Sequence, residues 1–204
     1  MNEIAKQQTS EWYSERLGIL TSTRAAALMG TRGARDTLMA EILAEYATAK
    51  GKEIYRSAAM ERGIRTETEA LSFYEFMYAV NITVKGAYII SDQHPMLGDS
   101  PDGLVGETGI VEVKCLDRHN HIRVMLSGQI DKKHEHQIYW HLFINSDRNW
   151  CDYFGYCPDL PVSMKGFKKR YYRDNEIIRK YEDEAFKFIH ELQGLLIKYD
   201  LIDE

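Results

Sequence analysis

GDSPDGLVGETGIVEVKC, residues 98–115, is the stretch on which the reading of this chain turns. Ile110, Val111 and Val113 form a β-rich run, and Ser100-Pro101-Asp102-Gly103 upstream reads as a turn between strands. Alternate side chains of a strand share a face, so Glu112 and Lys114 point one way and Val113 the other. A hairpin returning from the turn would lay Asp102 beside Glu112. Two carboxylates converging on one point repel and want a cation, and carboxylates with room for water suit Mg²⁺. The adjacent ammonium of Lys114 would hold an attacking water or offset charge on a phosphate. These are the parts of metal-assisted phosphodiester hydrolysis. The tripeptide by itself decides nothing, because a second acid-x-Lys, Asp131-Lys132-Lys133, falls where a loop or helix start is expected. On these residues alone a solvent-facing edge strand stays open as the alternative.

Working outward, residues 81–90 and 96–105 are further β-rich runs broken by Gly, Pro and Asp, and 150–156 (WCDYFGY) and 167–173 (FKKRYYR) read as later strands. Helical signals bracket them. Ser10 is placed to cap a short helix through Arg16, and Thr21 or Ser22 another that ends at Gly30. Leu38, Met39, Ile42, Leu43 and Tyr46 give residues 36–50 one apolar face, with Gly51 as the stop. Further helices are expected over about 58–77, 132–145 and 175–199. No repeat or linker-like run interrupts the chain. The reading is one domain over 1–204: N-terminal helices (9–77), a sheet (about 81–156), and a C-terminal strand and helix (about 165–200). Its class is α/β, with helices packed on a mixed sheet.

On the helix expected at 58–77, Met60, Ile64, Leu71 and Tyr74 make an apolar stripe, and Glu67 falls within it. A carboxylate there is costly unless it is paired or bound to metal, and an ion pair with a buried Arg is the competing explanation. Near the N-terminus, WYSERLG (12–18) leads into Thr21-Ser22-Thr23, a helix start with three hydroxyls and Arg16 close by. Helix N-termini and Arg forks bind phosphate, although plain capping accounts for most such clusters. The histidines of 119–141 read as surface or structural, because His-x-His on a helix splays its rings. Gln137 on the same segment is free to face the active site, though periodicity does not demand it.

Composition limits the rest. The chain has 204 residues, 44% hydrophobic and 28% charged, as expected of a soluble globular domain. No run approaches the roughly 20 apolar residues of a membrane span, and no secretory signal is expected at MNEIAKQQTSEW. Cys115, Cys151 and Cys157 are odd in number and lack CxxC spacing, which argues against a disulfide framework and against a cysteine-held zinc or iron–sulfur cluster. A reducing cytoplasm is the expected setting. The net charge of −5 speaks against nucleic acid only in the far field. Cations concentrate locally at Arg24, Arg32 and Arg35, and at Lys165, Lys168, Lys169, Arg170 and Arg173 among aromatic residues. Two solvated surface stretches are the plainer reading.

Four blocks in order, WYSERLGILTST (12–23), ERGIRTETEALSFYE (61–75), GDSPDGLVGETGIVEVKC (98–115) and HEHQIYWHLF (134–143), resemble the YqaJ-type viral recombinase family, the phage lambda exonuclease family of the PD-(D/E)XK nucleases. The resemblance spans about residues 11–157. It implies a PD-(D/E)XK core, a central mixed β-sheet flanked by helices. It also implies a Mg²⁺-dependent 5′-to-3′ exonuclease on linear double-stranded DNA, with Mn²⁺ as a plausible substitute and two ions per site. The product would be a 3′ single-stranded overhang for a partner annealing protein in recombination. Carried over by position, Asp102 and Glu112 would be metal ligands, with the backbone oxygen of Val113. Lys114 would position the nucleophile, and Glu67 would support a second metal or its water. Gln137 would line the site, and Arg16, Thr23 and Ser100 would grip a 5′-phosphate. A homotrimeric ring in the cytoplasm of a phage's bacterial host is implied as well. The sequence departs from the family at Leu116, where Pro is usual, and at Thr23, where a small residue is usual.

The rivals are another nuclease of the superfamily, an endonuclease or a single-strand exonuclease, and a DNA-end-binding module without catalysis. Three cysteines do not suffice for the iron–sulfur subset of those nucleases, and a non-catalytic module would be expected to lack one of Asp102, Glu112 or Lys114. A protein-interaction domain would leave Glu67 within an apolar stripe unexplained.

Overall fold

The computed structural model describes residues 10–51 and 58–203, with side chains described for 12–51 and 66–203. In chain order the elements begin with α1 (Ser10–Glu15), a 3₁₀ turn (Ser22–Arg24), α2 (Ala25–Leu28), α3 (Arg32–Thr48) and α4 (Ala58–Tyr78). The middle holds β1 (Ile82–Lys85), β2 (Ile89–Ile90), β3 (Gly98–Asp99), β4 (Gly103–Val105) and β5 (Gly109–Cys115). There follow α5 (Arg118–Ser127), α6 (Lys132–Ile144), β6 (Trp150–Tyr156), β7 (Gly166–Tyr172) and α7 (Asn175–Lys198).

Five strands form one sheet in the order β1-β4-β5-β6-β7, and β2 pairs with β3 apart from it. β5 runs antiparallel to β4 and parallel to β6, so the sheet is mixed as expected. The parallel step needs a crossover, which α5 and α6 supply. Helices cover both faces. Val111 and Val113 face α4, packing with Ala70, Leu71 and Tyr74, while Ile110 and Tyr153 belong to a larger core with α6 and α7. That is why WCDYFGY is buried almost throughout instead of alternating. Gly109 sits where a Cβ would lie 2.1 Å from the Trp150 ring, and Gly103 where one would lie 2.9 Å from Val111. Each lets a neighbouring side chain lie directly over its backbone.

The local signals act largely as expected. Thr31 accepts from the Ala34 N–H and starts α3 four residues before the expected position. Asp174 caps α7, whose Ile178, Tyr181, Ala185, Phe188, Ile189, Leu192 and Leu196 are buried at helical spacing. Thr21 differs from expectation. Its hydroxyl caps nothing, and only a 3₁₀ turn and the short α2 follow. Met60 and Ile64 lie outside the described side chains; Leu71 and Tyr74 of the same stripe are buried, and Glu67 beside them is half-buried. No helix among the described residues is long and apolar enough to cross a membrane.

Candidate active site

The β4–β5 hairpin does what the Ser-Pro-Asp-Gly turn suggested. Gly103 pairs with Val111 across the two strands, which brings the preceding Asp102 opposite Glu112. Asp102 Oδ2 accepts a 2.7 Å hydrogen bond from the Val113 N–H. The N–H and C=O of one strand residue point to the same side, so the Val113 carbonyl also turns toward Asp102, beyond the last β4 pair. Glu112 is 3% exposed, with Oε1 on Lys114 Nζ at 2.5 Å and Oε2 on His141 Nε2 at 2.9 Å. Glu67, on α4, is close enough for Glu112 to act on its titration.

The charges at this point are unequally satisfied. Burial opposes ionisation of Glu112, yet Lys114 and His141 outweigh it and hold the carboxyl well below its ordinary range. Burial and then the charge of Glu112 push Asp102 well up, and the same two causes raise Glu67. Lys114 is driven up by Glu112 and Asp102 against its own burial and is a firm ammonium at neutral pH. The site therefore carries more carboxylate than its own cations neutralise, the condition in which a divalent cation fits. Among the described residues no three His, Cys, Asp or Glu groups converge tightly enough to cage an ion. Asp102, Glu112 and the Val113 carbonyl offer oxygen donors only, the type that could hold Mg²⁺ with water completing its shell.

Other residues singled out in the sequence fall at graded distances from this centre. Gln137 is half-buried on α6, between His134 and His141 on the helix face turned to the site. His134 lines a cavity of about 410 Å³ that Lys114 also lines. Burial, then Lys114, lowers the His134 imidazole to about 4, leaving it neutral. Arg16 Nη2 donates to Thr21 Oγ1 at 2.9 Å and reaches Thr23 Oγ1 at 3.5 Å, in a cleft of about 860 Å³. Its guanidinium lies 4.0 Å over Trp12 and is lowered to about 10, by burial against the pull of Asp99. Ser100 does not line that cleft, and its buried hydroxyl has no hydrogen-bond partner among the described residues. Thr21, read as a helix cap, is thus the nearer hydroxyl to Arg16.

His141 was passed over among the histidines. It is fully buried, and its role shows only when α6 is laid against β3 and β5. The basic stretches also change character. Arg24 pairs with Glu45, Arg35 with Glu191, and Arg173 donates to the Leu142 carbonyl. Arg170 holds Asp152 through two nitrogens while stacking 3.5 Å over Trp150, and Lys168 lies 4.1 Å over Tyr78. Most of these cations hold the fold together.

Residues 11–147 match the profile of the YqaJ-like viral recombinase domain. LHK-Exo, an alkaline exonuclease of Laribacter hongkongensis, is 31% identical over 94% of this chain and 96% of its own, with a TM-score of 0.88. The same enzyme in complex with dAMP aligns at 32% identity, 94% and 95% coverage, and a TM-score of 0.86. A phage related exonuclease of Haemophilus somnus 129PT shares the fold at 11% identity, 89% and 96% coverage, and a TM-score of 0.71. The sequence has no match among curated proteins. The mixed sheet flanked by helices is the fold of these nucleases, and the profile runs over more than half of the sequence; the chain belongs to the YqaJ-like viral recombinase domain family.

Proposed function

We propose that the chain is a Mg²⁺-dependent exonuclease that degrades linear double-stranded DNA from 5′ ends. The observation that carries this is the meeting of Asp102, Glu112 and Lys114 at one half-buried point, with Glu67 beside them. Likeness to an alkaline exonuclease over nearly the whole chain supports it.

In this reading Asp102, Glu112 and the Val113 carbonyl hold one cation, and Glu67 with Asp102 supports a second. Bound Mg²⁺ supplies Lewis-acid polarisation of the phosphate and activation of water, and Mn²⁺ is a plausible substitute. Lys114 stays charged at neutral pH, so it orients the nucleophile and offsets phosphate charge rather than removing a proton. Gln137 lines the site from α6. By the family resemblance Arg16, with Thr23 and Ser100, grips the terminal 5′-phosphate; the Arg16 fork beside the Thr21 and Thr23 hydroxyls in one cleft supports the Arg16 and Thr23 part of this. The 3′ overhang so made would serve a single-strand annealing protein, and the active form would be a homotrimer around the DNA. Both rest on the family resemblance.

The test is digestion of a linear duplex carrying a 5′-phosphate on one strand only, with Mg²⁺ or with chelator. Metal-dependent loss of the phosphorylated strand is expected. Loss from 3′ ends or cutting of circular DNA would overturn the polarity, and binding without cleavage would leave an end-binding module.

A further inference from the structure

Both ring nitrogens of His141 meet carboxylate oxygens. Nδ1 lies 2.8 and 2.9 Å from the two oxygens of Asp99, and Nε2 lies 2.9 Å from Glu112 Oε2. The ring therefore bridges two acids, one through each of its nitrogens. Asp99 and His141 are completely buried. Asn145, one turn along α6, donates its Nδ2 to Asp99 Oδ2 at 2.8 Å, and Trp140 Nε1 donates to the Gly98 carbonyl at 2.9 Å. Two side chains of α6 and that of Asn145, at its C-terminal end, thus grip β3, and the grip continues through His141 to Glu112.

Such a chain of buried charges is a poor device for stability alone. Desolvating the groups costs about as much as their attraction returns, and an apolar set of the same volume often does better. What the chain does achieve is orientation. Glu112 reaches the site from the middle of β5 on a side chain with three rotatable bonds. With Oε2 saturated by His141, only Oε1 faces Lys114. We propose that His141, backed by Asp99, is a positioning residue that fixes the Glu112 carboxylate so that Oε1 is the oxygen presented to a cation. The inference rests on the metal-nuclease reading above and adds to it two residues outside the converging acids.

The experiment is calorimetric titration of Mn²⁺ into the full-length protein without DNA, for wild type, Glu112→Gln, His141→Gln, His141→Leu and Asp99→Asn. Steady-state digestion of linear duplex DNA at saturating Mn²⁺ accompanies it. Wild type binds, and Glu112→Gln loses binding. His141→Leu, still folded by circular dichroism, weakens Mn²⁺ about 10–100-fold. His141→Gln keeps one donor toward Glu112 and recovers part of that loss. In both, kcat falls while KM for DNA holds. If the Leu variant does not fold, Asp99→Asn carries the test, with a smaller loss of affinity expected. His141 and Asp99 variants that bind Mn²⁺ as tightly as wild type, while Glu112→Gln does not, would overturn the positioning role and leave the nuclease reading standing. No difference between wild type and Glu112→Gln would overturn the metal site itself, and the inference with it.

Discussion

Asp102 and Glu112 sit within one turn-and-strand unit, yet their carboxyls are pushed in opposite directions. Lys114 and His141 both bond Glu112, whereas among the described residues Asp102 takes the Val113 N–H alone and feels the charge of Glu112. The consequence for stability has a definite sign. A carboxyl raised in the folded state contributes stability below its unfolded value, ordinarily about 3.9 for Asp, and loses it as pH rises through the folded value. The contribution of Asp102 and Glu67 to the stability of the metal-free protein is therefore expected to fall as pH climbs above about 4 through their raised titrations. Asp102→Asn keeps an acceptor for the Val113 N–H and removes the repulsion. In EDTA at pH 8 its melting temperature should exceed that of wild type by a few degrees, at about 2–4 °C per kcal/mol, while cleavage is lost. An unchanged or lower melting temperature would show that Asp102 is not strained by its neighbours. Arg16 supports a second prediction at this scale. Arg16→Ala removes the fork over Thr21 and Thr23, and preference for 5′-phosphorylated over 5′-hydroxyl ends should fall about 10-fold. An unaltered preference, measured by competition between the two ends, would remove Arg16 from that role.

Among the elements, β5 does most to place the site, and it was also the most legible in the sequence. Gly109, the β-branched run and the Gly-bounded turn each carry a local signal, so the Asp102–Glu112–Lys114 geometry was readable from residues 98–115. α5 was not readable. It has its signals, Asp117 accepting from the Asn120 N–H and Gly128 in the left-handed region, but only His121 and Val124 are buried along it. A helix that buries so little has almost no apolar period to read. His141 was illegible for another reason. Its partners lie 42 and 29 residues away, and no local pattern couples such positions. The hydroxyls at 21–23 misled because capping and side-chain pairing with Arg16 use the same residue types. The hairpin also makes a testable demand. Gly109→Ala would force a methyl into the Trp150 ring, which is itself stacked against Arg170. Overpacking of this kind costs about 1–3 kcal/mol. A drop of several degrees in melting temperature is expected, and a melt equal to wild type would mean that Trp150 yields freely.

For the molecule as a whole, the puzzle is an acidic protein of net charge −5 assigned to DNA. The cations that looked like binding patches in the sequence mostly serve the buried Asp152 and Glu45 and, at the surface, Glu191. What remains for DNA is local: Lys114, Arg123 and Lys133 at one cavity, Arg16 in the other cleft. Grouping subunits around the duplex is the economical way to multiply weak local attraction, and Phe76, Leu126, Val162 and Tyr172 are exposed side chains that an interface would cover. Analytical ultracentrifugation is expected to give three times the 23.7 kDa chain mass. A stable monomer at micromolar concentration would contradict the ring.

The most direct test of the central claim is a Mg²⁺ titration of nucleotide release from linear duplex DNA, run side by side on wild type and Glu112→Gln. Release that rises from nothing with Mg²⁺ in wild type, and stays at least about 100-fold lower in the variant at every concentration, is the predicted result. Equal release by the two proteins, or release by wild type in chelator, would contradict it.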